Sequence, residues 1–276
     1  EVSGLYANFY AWGSHLGEAW HKAYEAALAE KEIIDPVLME AYILQSLDDI
    51  NYEGELSHLA PDVYRIPANI LYPLDDPEPL FVPPTGVVPT DEDRDAEPPL
   101  QACFASYTGE EYTIVLAATK DALEPTFAHA LHLLPNVVGM GIGVQGHWER
   151  KLNEWWINKT DFKTAEAVLS FFAQARQNTL ENGFLDLVVF AQDGETRLML
   201  SEHKTLNLYT KDEKLFRRVV AEFISLGYAH KEDCISMAYG HHHWHYRPAG
   251  SLERKKFAGF LRKYRFELLE TWKDGE

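Results

Sequence analysis

The pattern of apolar and polar positions after residue 100 predicts single helices alternating with pairs of strands. The clearest helix is 211–226, where apolar side chains recur every three or four residues and share one face. Further helices are predicted at 121–133, 161–181 and 251–270. Strands are predicted at 102–107, 112–118, 137–148, 153–158, 185–191, 196–202 and 234–246. This alternation is typical of an α+β fold with an antiparallel or mixed sheet covered by helices.

Two finer topologies fit the same pattern. Residues 101–160 and 184–250 share the order ββαβ. They also share three short sequence matches, which are a Gly-Glu turn, a Thr-Lys-Asp triplet and a later stretch from Met to Gly. Matches this short arise by chance as readily as by duplication. The overlapping segment 112–191 instead follows the order βαββαβ, which is a ferredoxin-like alternative. Both topologies stay open.

The first hundred residues follow a different pattern. Two helices are predicted at 14–31 and 35–48, the second starting from Asp35 as N-cap with Pro36 in the first turn. Ten of the fourteen prolines then lie between Pro61 and Pro99, where they exclude a regular helix or a central strand.

This pattern divides the chain into three regions. They are a helical N-terminal region at 1–60, a Pro-rich connector at 61–100 and a sheet domain at 101–276 that ends in a basic helix.

The predicted start of helix 211–226 is a capping box formed by Thr210 and Glu213.

The most informative feature of the composition is the charge and its uneven distribution along the chain. The 276 residues carry a net charge of −18, and residues 1–100 hold twenty acidic but only four basic side chains. Such an acidic chain is a poor partner for nucleic acid, and no apolar run is long enough for a membrane span. Two cysteines, Cys103 and Cys234, are too few for a disulfide scaffold, so we expect a cytoplasmic location. The oligomeric state stays open.

A run of histidines near the C-terminus is the first candidate site. Side chains alternate along a strand, so His241, His243 and His245 would share one face and could converge on one metal ion. Imidazoles suit zinc, and three of them leave a fourth position open for water. No acidic residue lies near enough in sequence to add a ligand. A solvated strand end without metal is the alternative.

The second candidate is a ligand pocket between two strand ends. Gly139, Gly141 and Gly143 share one face of the strand 137–148 and leave room for a helix, an aromatic ring or a ligand. If this strand end met the histidine run, five side chains could line one pocket. They are His147, Trp148, His242, Trp244 and Tyr246.

These features predict a non-enzymatic binding or regulatory module, with a protein or a small molecule as partner and no cofactor. No catalytic sequence motif stands out, whereas the acidic region and the aromatic, histidine-rich strand could each bind a partner. One alternative is a metal-dependent hydrolase that uses zinc on the histidine run. A second alternative is an acidic decoy or inhibitor of a nucleic-acid-binding protein.

Overall fold

The computed structural model describes residues 3–68, 70–73, 81–90, 99–239 and 242–273, and within them it confirms the α+β class. No helix in this part of the chain is long and apolar enough to cross a membrane.

Strands and helices alternate along these residues. The strands are β1 (Ser3–Tyr6), β2 (Phe9–Ala11), β3 (Ser57–Ala60), β4 (Val63–Arg65), β5 (Ile70–Pro73), β6 (Val87–Pro89), β7 (Cys103–Thr108), β8 (Tyr112–Ala117), β9 (Val137–Val144), β10 (Asn153–Asn158), β11 (Leu185–Ala191), β12 (Arg197–Leu200), β13 (Thr205–Thr210), β14 (Ala229–Lys231), β15 (His243–His245) and β16 (Glu267–Trp272). The helices are α1 (Leu16–Ala29), α2 (Lys120–Leu133), α3 (Ala165–Gln174), α4 (Glu213–Ser225) and α5 (Arg254–Lys263).

A nine-stranded sheet organises the second part of the chain. Its order is β14-β7-β8-β13-β12-β11-β9-β10-β16, and all neighbours are antiparallel except the parallel pair β14–β7 at one edge. Three smaller sheets pair β1 with β5, β15 with β6, and β4 with β2 on one side and β3 on the other. The predicted antiparallel or mixed sheet is therefore confirmed.

The main core lies between this sheet and helices α2 to α5. Alternate strand residues such as Ile114 and Met140 are fully buried against helix residues such as Phe127 and Phe172. Because side chains alternate between the faces of a strand, the intervening residues point to the opposite face of the sheet.

The N-terminal helix α1 packs on the chain that follows β15. The rings of Trp20 and Tyr246 are 6.1 Å apart, and a Cβ on Gly17 would lie only 1.7 Å from the carbonyl oxygen of Arg247. The helix therefore touches the backbone directly there, and it supports β15 from the side.

The predicted helix 35–48 is wrong. Asp35 has a φ of +50°, which is a left-handed conformation and not the extended one that an N-cap adopts. The chain from 36 to 45 has no regular structure, and the amide of Ala41 donates to the carbonyl oxygen of Pro89 next to β6. Only Leu47–Asp49 forms a short 3₁₀ turn. This segment therefore runs as an irregular chain beside β6 and not as a helix.

Three other helix boundaries differ from the prediction. Helix α3 ends well before residue 181, and α5 ends at Lys263, after which the chain forms the edge strand β16. Helix α4 is capped by Asp212, whose carboxylate accepts the amides of Lys214 and Leu215, so the predicted Thr210 cap is not used.

Neither finer topology is confirmed. Among the described residues of the predicted strand 234–246, only β15 is a strand, and Met237 lies in a turn closed by Ser236 and Tyr239, so the matching strand of the second ββαβ unit is not found there. The ferredoxin-like alternative needs β8, β9, β10 and β11 as neighbours. In the sheet, β12 and β13 lie between β8 and β11.

An aromatic ring fills the glycine face of β9. A Cβ on Gly141 would lie 2.4 Å from Cζ2 of Trp155, and one on Gly143 would lie 3.3 Å from Cβ of Asp186. The space that the glycines leave is therefore occupied by cross-strand neighbours.

We predict that Gly141→Ala lowers the free energy of unfolding by ~1–3 kcal/mol, because the added methyl group overpacks the Trp155 ring. Gly259→Ala is the matched control, since Gly259 is exposed within α5 and a Cβ there meets no atom within 4 Å. The control should be more stable by ~0.5–1 kcal/mol through helix propensity. Urea denaturation measures both, and a Gly141→Ala protein as stable as the parent would contradict the packing.

Candidate metal centre

Five polar side chains from three distant segments meet at one end of the sheet. His147 follows β9, Glu202 and His203 lie in the β12–β13 turn, and His243 and His245 lie on β15. We call these five residues the histidine cluster. Their proximity depends on the sheet order, which places β9, β11 and β12 side by side.

Strand β15 presents two of the imidazoles. It pairs with β6, with His243 opposite Pro89 and His245 opposite Val87. Alternation along the strand puts both imidazoles on one face, and their Nε2 atoms are 3.1 Å apart.

A backbone carbonyl fixes the orientation of His245. Nδ1 of His245 lies 2.6 Å from the carbonyl oxygen of Gly183. A carbonyl only accepts, so Nδ1 carries the proton and Nε2 keeps its lone pair toward the cluster. Gly183 itself packs on Gly86, because a Cβ at Gly183 would lie 1.8 Å from the Gly86 carbonyl oxygen.

A buried lysine holds the β12–β13 turn in place. Lys204 has a φ of +61° and is only 2% exposed, and its Nζ donates to the carbonyl oxygen of Asn182 at 2.7 Å. The turn carries the ring of His203 to within 4.9 Å of the His243 ring and 5.0 Å of the His245 ring, measured between centroids.

A buried carboxylate supports Glu202. Asp186 accepts the backbone amide of Glu202 at 2.8 Å and the side-chain amide of Gln145 at 2.6 Å. The Glu202 carboxylate oxygens then lie 3.3 Å from Nε2 of His147 and 3.8 Å from Nδ1 of His203. Glu202 is thus placed between two imidazoles.

The turn that carries His147 is held by Arg254. This guanidinium is 6% exposed and donates to the carbonyl oxygens of Gln145 at 2.7 Å and Trp148 at 2.6 Å, one on each side of His147. It also pairs with Glu154 at 3.2 Å. At least one basic side chain of the C-terminal helix therefore forms its hydrogen bonds inside the fold and not with solvent.

Burial sets the ionisation of the site. Burial lowers the pKa of His203 to about 4 and that of His245 to about 2, and the neighbouring histidines add to both effects. Burial also lowers the pKa of Lys204 to about 7 and raises that of Asp186. At neutral pH His203 and His245 are uncharged, which is the form that binds metal ions.

The ligand atoms of the cluster fall into two groups, in each of which all atoms lie within 4.8 Å of one another. One group is His203, His243 and His245, and the other is His147, Glu202 and His245. Zinc–nitrogen bonds of 2.0–2.1 Å in a tetrahedral site place two ligand nitrogens about 3.3 Å apart. The 3.1 Å between His243 and His245 is close to that spacing.

The structure brings together two of the three histidines predicted as metal ligands. His243 and His245 lie side by side, and His241 falls outside the described residues. His147, which the sequence suggested for a ligand pocket, joins this same face, with its ring 4.7 Å from that of His245.

The other residues suggested for a ligand pocket are not gathered around His147. Trp148 is 2% exposed and stacks on Phe184, while Tyr246 is 4% exposed and faces α1. Trp244 is 36% exposed, and His242 is exposed beside it.

Sequence reasoning missed Glu202 and His203. The available signal was the polar stretch Ser201-Glu202-His203-Lys204 between two apolar strands, which marks a turn. Nothing in the order of residues indicated that this turn would face β15.

We predict that the metal-free protein loses stability as the pH falls from 6.5 toward 4. Folding depresses the pKa of His203 and His245 below their ordinary value of 6.5, so only the unfolded chain takes up these protons in that range. His203→Asn should reduce the slope of unfolding free energy against pH by at most about 1.4 kcal/mol per pH unit. His132→Asn, outside the cluster and half exposed, is the control. Equal slopes for parent and His203→Asn would contradict the expectation.

No protein-family model matches the chain, and neither a curated protein nor a solved structure matches it.

Proposed function

We propose that the chain binds one divalent transition-metal ion, with zinc as the first candidate, through His203, His243 and His245. The observation that carries this proposal is the facing pair of Nε2 atoms 3.1 Å apart. Because the Gly183 carbonyl holds the proton of His245 on Nδ1, its Nε2 presents a lone pair where a metal would sit.

The surroundings support binding in two further ways. His203 and His245 need not lose a proton first, since burial keeps their pKa below neutral pH. One outer contact is also in place, because a metal-binding imidazole usually donates the N–H of its other nitrogen to a carbonyl or a carboxylate. His245 does so to Gly183.

Metal-dependent hydrolysis is the second candidate function, and Glu202 favours it. Three protein ligands leave one tetrahedral position for water, and a metal there brings the pKa of that water close to 7. The Glu202 carboxylate lies beside the imidazoles, held by Asp186. The His147 side chain is 42% exposed, so the cluster is reached from solvent.

The expectations of a non-enzymatic binding module and of an acidic decoy remain predictions. A stable metal centre without turnover would favour the binding module. The decoy hypothesis depends on the acidic residues before residue 100, and the histidine cluster provides no evidence for or against it.

We predict that metal-stripped, tag-free protein binds one Zn²⁺ per chain and that His245→Ala weakens binding at least about 100-fold. Loss of an outer contact alone costs 10–100-fold, so loss of a ligand should cost more. Calorimetric titration with Zn²⁺ and the visible spectrum with Co²⁺ measure this. His242→Ala, an exposed histidine next to the cluster, should bind as the parent does. If His245→Ala and His242→Ala bind zinc with the same affinity, the metal centre lies elsewhere in the chain.

For the hydrolase candidate, we predict zinc-dependent hydrolysis of an activated ester or phosphodiester such as a p-nitrophenyl compound. Glu202→Gln should lower kcat by roughly 10²–10⁴ while the zinc stoichiometry stays at one, because the change removes a proton acceptor and keeps the three histidines. Absence of zinc-dependent turnover in the parent protein would reject hydrolysis of these substrates and leave the binding proposal standing.

A further inference from the structure

The two cysteines form a buried pair at the other end of the sheet. Cys103 begins β7, and Cys234 follows β14, with their Sγ atoms 3.6 Å apart. They are 3% and 5% exposed and pack with Ala105 and Ala117 on the face opposite the helices. The pair is separate from the histidine cluster, so its chemistry is independent of metal binding.

The environments of the two thiols shift their pKa values in opposite directions. The hydrogen bond with Cys234 lowers the pKa of Cys103 below that of an ordinary thiol, and the nearby Lys231 ammonium acts in the same direction. The same hydrogen bond and burial raise the pKa of Cys234. These directions favour Cys103 as the sulfur that reacts first and Cys234 as the neighbour that resolves it.

An open groove lies next to the segment that carries Cys234. It is a space of about 550 Å³ lined by Ser106, Tyr107 and residues 230–233, the last of which precedes Cys234 directly. The groove therefore brings solvent to the residue before Cys234, while the two sulfur atoms themselves are buried.

We propose that Cys103 and Cys234 are a reversible modification site, which peroxide oxidation converts into a disulfide that ties the segment between β14 and β15 to β7. The sulfur atoms have to approach by about 1.5 Å from their present 3.6 Å to reach bonding distance. Residues 232–239 belong to no helix or named strand, so this adjustment breaks no hydrogen bond of the main sheet.

The reaction balances with one peroxide. The Cys103 thiolate attacks a peroxide oxygen, the O–O bond breaks, and the departing hydroxide takes a proton to become water. Cys103 is then a sulfenic acid. The Cys234 sulfur attacks the sulfur of Cys103, the S–O bond breaks, and the hydroxyl leaves as a second water with the proton of Cys234. Two thiols are oxidised and one peroxide is reduced to two waters.

The test is intact-mass and peptide analysis of folded protein treated with stoichiometric hydrogen peroxide. We expect a product about 2 Da lighter, an internal linkage between the peptides of Cys103 and Cys234, and reversal by dithiothreitol. Products that only gain oxygen, or that are linked only between chains, would overturn the proposal.

Matched variants assign the roles of the two sulfurs. Cys234→Ala keeps the site apolar and should accumulate a sulfenic acid on Cys103, which dimedone traps, whereas Cys103→Ala should react at least about tenfold more slowly at its remaining thiol. Equal reactivity of the two variants would overturn the assignment. If a variant unfolds, amide hydrogen exchange on the parent decides, because the cross-link should slow exchange in 232–239 at least about tenfold. Unchanged exchange there would contradict the proposed tether.

Discussion

The contact between the backbones at Gly86 and Gly183 is the constraint on which the histidine cluster depends. A side chain at Gly183 would collide with the Gly86 carbonyl, so the two chains approach as closely as peptide groups can. The same region is then fastened by two hydrogen bonds, from the Tyr246 amide to Gly86 and from the Gly183 amide to the Tyr246 carbonyl. This places His245 against the Gly183 carbonyl, and without that contact its ring has no fixed orientation.

Buried charge is the second requirement of this region. Arg254 and Lys204 are buried and Asp186 is largely so, and backbone groups hold all three, with Glu154 pairing in addition to Arg254. Burying such groups is expensive unless their hydrogen bonds are satisfied. An apolar core would hold the sheet at lower cost, so the concentration of these groups around one cluster supports the proposed metal site.

The pattern of apolar and polar residues was sufficient to predict those features that local geometry determines. The α+β class follows from the alternation of helical and strand periodicity along the chain. The shared face of His243 and His245 follows from strand geometry alone. The helix predicted at 35–48 is wrong because the chain there hydrogen-bonds through Ala41 to Pro89 of β6, which lies some fifty residues later in the chain. Glu202 and His203 could not be predicted as site residues, since only the order of strands in the sheet turns the β12–β13 hairpin toward β15.

The cluster is a property of the whole fold and not of the histidine run. Its members come from the end of β9, from a hairpin turn and from a strand outside the main sheet, and each is set by a different support. Arg254 holds the first, Lys204 and Asp186 hold the second, and the contact of Gly86 with Gly183 holds the third. An isolated strand of alternating histidines has none of these supports and pays the full entropy of ordering its imidazoles on binding. In the folded chain these side chains are already ordered, and this supports the proposed metal centre over a solvated strand end.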